Sequence, residues 1–239
     1  MGGGKVKNWP ANCDLALPPA PDEVEKAIAD EFNSSACEFC CRYKREGLSK
    51  SSKILMNWLV EEGLSGKTLL DLGCGAGTFS VEALKNGAST STGFDLAPEM
   101  IMAADSLAAE MGLDKRARFS LGNAASADLP ASEVVVMDKV ICCYPEVGPL
   151  LKNASSASRE TIGFILPRDE GLWKWPLRLA ARTGNLVYRL RRRKNNWFYI
   201  HSLKSMDGTL RGAGFARRKK AASRMWLVFL YKKQGKTGI

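Results

Sequence analysis

The stretch Asp71-Leu72-Gly73-Cys74-Gly75-Ala76-Gly77 carries the residue types and spacing that most directly suggest chemistry. A short apolar run, Thr68–Leu72, ends in it, and Phe79–Gly87 follows with helical patterning, so the glycines fall in a strand-to-helix turn. Such a turn suits a nucleotide. Glycines let the backbone fold sharply and approach a ligand closely, and a helix N-terminus presents free N–H groups. The dinucleotide pattern G-x-G-x-x-G would need its third glycine where Thr78 stands, and here that glycine comes one residue early, at Gly77. An acid at the strand's end, Asp71, opposes an approaching pyrophosphate and tolerates a cationic, phosphate-free ligand better.

Other side chains are candidates for proton transfer or binding. His201 is the only histidine of the chain, and its ordinary pKa makes it a candidate base. Beside the strand-like residues 197–200, a structural role is equally open to it. Tyr144 is a candidate to position or deprotonate an acceptor, or else a packed aromatic before Pro145. Arg168 and Asp169 would bind an acidic substrate or cap a turn, and Tyr43 would close over a pocket. Seven cysteines without extracellular context point to structural thiols rather than a disulfide framework. Cys37 and Cys40 form a CxxC in a helical-looking segment, and the adjacent Cys142 and Cys143 are expected to point apart. No metal site is expected.

The elements that must position these residues follow from periodicity. Helices are expected at Glu23–Phe32, with Asp22 as N-cap, and at Ser49–Glu62. The pattern then alternates: strands at Thr68–Leu72, Ser91–Leu96, Arg118–Leu121, Val134–Met137 and Thr161–Leu166, with helices at Phe79–Gly87, Pro98–Gly112 and Leu150–Ala157 between them. Val134–Met137 is apolar throughout, as in a buried parallel strand. Alternation of this kind implies right-handed crossovers and a parallel sheet covered on both faces. A helix at Leu203–Gly212 and strands at Phe215–Ala221 and Met225–Lys232 add an antiparallel pair at one sheet edge. The expected fold is therefore α/β, a doubly wound Rossmann-like sheet with a helical N-terminal cap.

Composition sets outer bounds. With 239 residues, 45% hydrophobic and 25% charged, the chain is an ordinary globular protein with one core. No apolar run reaches the roughly 20 residues of a membrane span, and no secretory signal follows Met1, so a cytoplasmic location is expected. The net charge of +10 is concentrated: from Arg168 onward 19 Lys/Arg stand against 3 Asp/Glu. Leu172–Lys194 has amphipathic helical patterning. Its Arg178–Lys194 part, with Trp173, Trp175, Tyr188 and Trp197 in and around it, would meet an anionic surface of RNA or membrane, or form a solvated face.

The loop, the order of elements and the terminal strand pair together resemble the class I S-adenosylmethionine-dependent methyltransferases, whose first motif reads (D/E)-x-G-x-G-x-G. The likeness covers roughly Ser49–Lys232. It implies that S-adenosyl-L-methionine is the cofactor, that Asp71 orders its methionine amino group, and that Gly73, Gly75 and Gly77 line it. Asp95, 24 residues beyond Asp71, matches the acid that accepts the ribose hydroxyls, or caps the helix before Pro98. Leu96 would lie on the adenine face, Asn123 would accept from adenine N6, and Asp138 would face the methionine end or cap its turn. The layout is also similar to magnesium-protoporphyrin O-methyltransferases, which carry an Asp-x-x-Ile-His-Tyr-like segment after the fourth strand. The counterpart here, Asp138-Lys-Val-Ile-Cys142-Cys143-Tyr144, is one residue longer and has cysteine for histidine.

Residues 1–21, rich in Gly, Pro, Asn and Ala, read as a flexible arm, and 22–239 as a single domain: a helical cap (22–66), a cofactor-binding core (67–167), a basic insertion (168–200) and a C-terminal helix and hairpin (201–239). The implied activity is O- or C-methylation of a small acceptor. The basic third leaves open an RNA- or protein-directed enzyme, or one at a membrane surface acting on a lipophilic substrate. The segment after the fourth strand is neither (N/D)-P-P-(Y/F) nor Pro-Cys, which weighs against nucleobase modification.

Overall fold

Val134–Met137 is buried on both sides and forms the centre of β4 (Ser132–Asp138). Around it the computed structural model, which describes residues 23–171, 175, 178, 179 and 199–235, builds a seven-stranded sheet. In chain order the elements are α1 (Glu23–Asn33), α2 (Ala36–Glu46), α3 (Lys50–Glu61), β1 (Thr68–Leu72), α4 (Thr78–Lys85), β2 (Thr90–Asp95), α5 (Pro98–Glu110) and β3 (Ala117–Leu121). After β4 come a 3-10 turn (Ile141–Cys143), α6 (Val147–Ala157), β5 (Ser158–Pro167), α7 (Leu203–Gly212), β6 (Phe215–Ser223) and β7 (Trp226–Lys233). The strand order is β3-β2-β1-β4-β5-β7-β6. β1 to β5 run parallel, while β7 pairs antiparallel with both β5 and β6.

Successive strand residues point to opposite faces, and the core divides accordingly. Leu69, Val134, Val136, Ile165 and Val228 face one layer, packed with α3, α4 and α5. Leu70, Val135, Met137, Phe164 and Phe229 face the other, with α6 and α7. Gly163 in β5 is needed because a Cβ there would come within 2.6 Å of Leu55 of α3. β6, an edge strand, carries Arg217, Lys219 and Lys220, charges that discourage further strand pairing. Lys219 and Lys220 pair with Glu61 and Glu170 at 2.5 Å each, so part of the C-terminal basic excess is answered inside the fold.

α1 and α2 lie across α5 and against the glycine loop, where Phe32 and Phe39 pack on Ala76, Ala97 and Met100. A partly buried clamp fixes this cap to the core: Tyr43 donates its hydroxyl proton to Glu82 of α4 at 2.6 Å, and Lys85 donates to Tyr43 at 3.1 Å. The position of Asp22, the arm 1–21 and nearly all of the basic segment Arg178–Lys194 lie outside the described residues. The strand expected at Trp197–Ile200 is not seen in its described part: Tyr199–Ile200 lacks strand pairing and is tied by Tyr199 N–H to the Cys142 carbonyl at 2.8 Å.

Candidate functional site

Register sets three carboxylates along the carboxyl edge of three adjacent strands. Asp71 of β1 pairs with Gly93 of β2 and with Val136 of β4. Asp95 and Asp138 therefore each stand two residues further out, on either side of it. The chain reverses its winding direction between β1 and β4, and such a switch point opens a crevice at the strand ends. Asp71 is fully buried and accepts from Ser80 Oγ of α4 at 2.8 Å. Burial pushes its carboxyl up to about 7, against the Ser80 hydroxyl, and the charges of Asp138 and Asp95 add to the rise. Burial also pushes the Asp95 carboxyl up, against backbone N–H groups that hold its charge.

The glycine loop is tied to β2 rather than standing free. Gly73 and Cys74 donate their N–H groups to the Phe94 carbonyl at 2.7 and 3.0 Å. Gly73 and Gly77 have φ of 68° and 69°, the left-handed region that favours glycine. A Cβ on Gly73 would come within 2.4 Å of Val140, and one on Gly77 within 2.8 Å of Phe119. Gly93 is a glycine inside a strand because Cys74 of the loop and Phe119 of β3 press against it.

Between the loop, the strand ends and the cap lies a cavity of about 640 Å³. Its cap wall is largely apolar, with Ile28, Phe32, Phe39 and Leu48 among its residues. Among its lining, the acidic and basic side chains are three aspartates, 71, 95 and 138, against two cations, Arg42 and Lys139. That balance suits a ligand of net positive charge without phosphates. Lys139 occupies the turn after β4 and donates to Ser49 Oγ and Ser52 Oγ at 2.9 Å each and to Asp138 at 3.0 Å. Ser49 is the N-cap of α3, its Oγ accepting from Ser52 N–H at 3.3 Å, so the start of that helix is built into the cavity wall.

The cavity gathers every residue the sequence pointed to as cofactor-binding except Gly77: Asp71, Gly73, Gly75, Asp95, Leu96, Asn123 and Asp138 all line it. Gly77 sits just behind, as the residue from which α4 starts. Asn123 turns its amide oxygen to the Ala125 N–H at 2.8 Å and donates through Nδ2 to Glu25 and, at 2.8 Å, to the Tyr144 hydroxyl. Tyr144 and Tyr43 also line the cavity. His201, Arg168 and Asp169 do not. His201 Nε2 lies 3.0 Å from the Tyr144 carbonyl, which can only accept, so the ring donates there and stacks on Tyr199. Asp169 is held in a bidentate pair by Arg178 at 2.8 and 2.9 Å.

Cys142 and Cys143 do not point apart. In the 3-10 turn successive side chains diverge less than in a strand, and the two Sγ atoms lie 3.6 Å from each other, both lining the cavity. Cys37 and Cys41, one helical turn apart on α2, are likewise 3.8 Å apart and exposed. Lys139, Ser49 and Ser52 are cavity residues that the sequence did not reveal. No local pattern marks them, because the first turn of a helix and a strand end, with Ser52 and Asp138 86 residues apart, become neighbours only in the fold. Gly93 did leave a signal, as a glycine inside a strand pattern.

Comparison with known proteins agrees with this geometry. Residues 64–170 match the family model described as a methyltransferase domain. Curated relatives include a ribosomal protein L11 methyltransferase of Histophilus somni, 32% identical over 107 residues. The match covers 45% of this chain and 36% of that protein, so the chain matches about a third of the length of such relatives. Among solved structures, magnesium protoporphyrin IX methyltransferase from Synechocystis PCC 6803 with bound SAH superposes with a TM-score of 0.68 at 18% identity, over 88% of this chain and 100% of that one. Geranyl diphosphate C-methyltransferase from Streptomyces coelicolor, in complex with Mg2+, geranyl diphosphate and S-adenosyl-L-homocysteine, gives 0.66 at 14% identity, over 90% and 100%. Residues 64–170 thus resemble a methyltransferase domain, and the chain has the fold of the class I S-adenosylmethionine-dependent methyltransferases.

Proposed function

We propose that the chain is an enzyme that binds S-adenosyl-L-methionine at the carboxyl ends of β1, β2 and β4 and directs its methyl group to an oxygen or carbon of a small, largely apolar acceptor. The observation that carries this reading is the single cavity joining the glycine loop and Asp95 to the apolar cap wall. At about 640 Å³ it lies well inside the roughly 300–1,000 Å³ of small-molecule sites. The two structural neighbours above act, by their names, on a porphyrin and on a prenyl diphosphate. Here the acidic edge would hold the cofactor, with Asp95 at the ribose, Asn123 at the adenine and Asp138 at the methionine end.

The cofactor supplies an activated sulfonium methyl, so the chain's own task is alignment and exclusion of water. Phe32, Phe39 and Leu48 would provide that exclusion by covering the loop. A carboxylate acceptor would need no base, whereas an alcohol or phenol would. Tyr144 lines the cavity, while His201 reaches it only through the Tyr144 carbonyl, so Tyr144 is the group to test first for positioning or deprotonation. Calorimetry with S-adenosylmethionine, S-adenosylhomocysteine and NAD tests the cofactor: the first two are expected to bind and NAD is not. Binding of NAD alone would overturn the reading. Incubation with labelled cofactor and a cell extract, followed by mass analysis, would identify the acceptor.

A second reading, a protein- or RNA-directed enzyme, is favoured by the ribosomal protein L11 methyltransferases among the relatives. Their likeness covers 45% of this chain and 36% of their own length. Steeply salt-dependent RNA binding, lost when Arg189–Lys194 are neutralised, would support it. Loss of vesicle co-sedimentation in the same variant would instead support a membrane surface.

A further inference from the structure

Resting on the reading that this cavity takes S-adenosylmethionine, we infer that Lys139, with Ser49 and Ser52, seats the α-carboxylate of the cofactor's amino acid, while Asp138 takes its α-ammonium. Lys139 has a φ of 64°, a left-handed conformation uncommon for a residue with a side chain. Such a conformation persists only where the surroundings hold it, and it tends to mark functional positions. Had the strand simply continued, Asp138 and Lys139 would have pointed to opposite faces. Instead Lys139 Nζ and Asp138 Oδ1 lie 3.0 Å apart, and both residues line the cavity.

The pair lies at the right end of the site. Val140, the next residue, presses on Gly73, so the turn rests on the start of the glycine loop. Asp95 is two strands away across β1, about 10 Å at the usual strand spacing. A nucleoside whose ribose meets Asp95 would extend its amino-acid arm over Asp71 towards Asp138 and Lys139. There an α-amino acid brings an ammonium and a carboxylate side by side. A neighbouring carboxylate and ammonium on the protein complement that zwitterion, with all four charges alternating in sign. The exchange leaves no charge unpaired, since Lys139 trades part of its contact with Asp138 for the ligand's carboxylate. Ser52, which donates to Asp138 at 2.5 Å, keeps that acid in place. Arg42, the other cation of the lining, is committed to the cap: its guanidinium covers the Phe39 ring at 4.7 Å and pairs with Glu38 at 3.5 Å.

The test compares S-adenosylhomocysteine with 5′-methylthioadenosine, which keeps the nucleoside and thioether and lacks the amino acid. Calorimetry on the full chain should show the wild type preferring S-adenosylhomocysteine. Lys139→Met removes the charge, and Lys139→Gly removes it while also relieving the left-handed backbone, so loss of the fold would not explain a shared effect. Both variants are expected to bind S-adenosylhomocysteine 10- to 100-fold more weakly and methylthioadenosine within about twofold of wild type. Lys139→Arg should recover much of the preference. Equal weakening of both ligands, or of neither, would overturn the inference and leave the proposed function intact. Failure of the wild type to bind either ligand would overturn both.

Discussion

The backbone N–H of Gly75 donates to Asp95 Oδ2 at 2.8 Å, and the N–H of Ala97 donates to Oδ1 of the same carboxylate at 2.9 Å. One side chain thus ties the glycine loop to the end of the neighbouring strand and to the start of α5. Both oxygens keep lone pairs for a ligand's hydroxyls. Asp95 is then the loop's fastening, and that role leaves room for the ribose-accepting one proposed above.

Asp95→Ala is expected to weaken S-adenosylmethionine and S-adenosylhomocysteine binding by 10- to 100-fold, the range for lost hydrogen bonds to a charged group. Asp95→Asn should do nearly as badly, because its amide nitrogen must face one of two N–H donors. Calorimetry on both variants checks this, and an Asn variant with unchanged affinity would contradict it.

Asp71 gives a pH signature. Its folded-state pKa of about 7 lies above the ordinary 3.8, so the neutral carboxyl is favoured in the fold and its contribution is lost as pH rises through 7. Asp71→Asn resembles the protonated acid. It should change the melting temperature little at pH 4 and raise it at pH 8, by up to roughly 4 kcal/mol of stability. A cationic ligand favours the charged form, so wild-type affinity for S-adenosylmethionine should climb between pH 6 and 8, with proton release measurable in buffers of different ionisation enthalpy.

Gly73→Ala combines a left-handed φ with a Cβ 2.4 Å from Val140. It is expected to destabilise the protein by about 2 kcal/mol and to weaken cofactor binding. Adding Val140→Ala should return part of the stability but leave the backbone strain, a non-additivity that denaturant titration of the single and double variants would show.

Tyr43→Phe removes the hydroxyl between α2 and α4 while leaving the ring's packing. A loss of about 1–2 kcal/mol is expected, together with faster proteolysis within residues 23–47 and an unchanged core. Limited proteolysis read by mass spectrometry would locate the cleavage.

Tyr144→Phe separates two roles for that hydroxyl, which receives a hydrogen bond from Asn123 at 2.8 Å. A part in acceptor chemistry would lower kcat at least tenfold with cofactor affinity little changed. A part in orienting Asn123 would weaken cofactor binding severalfold and leave kcat within about twofold.

The sequence by itself determined the order of elements and the glycine loop, because both are written in short-range signals. Period-2 and period-3.6 patterning placed all seven strands and the helices between them within a few residues. Thr78 in place of a third glycine set the loop apart from a dinucleotide turn. Asp71 and Asp95 were legible because their places relative to strand ends are fixed within a few residues of chain. What only the tertiary structure decided is which distant groups meet. Register of β4 against β1 brought Asp138 level with Asp95, and the left-handed turn at Lys139 folded its ammonium back onto Asp138. The N-cap of α3 then supplied Ser49 and Ser52 to the same corner. His201 looked available from its chemistry alone, yet packing turned its ring to the Tyr144 carbonyl and left it out of the cavity lining. Local patterning encodes elements, but contacts between residues 50 to 100 positions apart depend on how those elements pack.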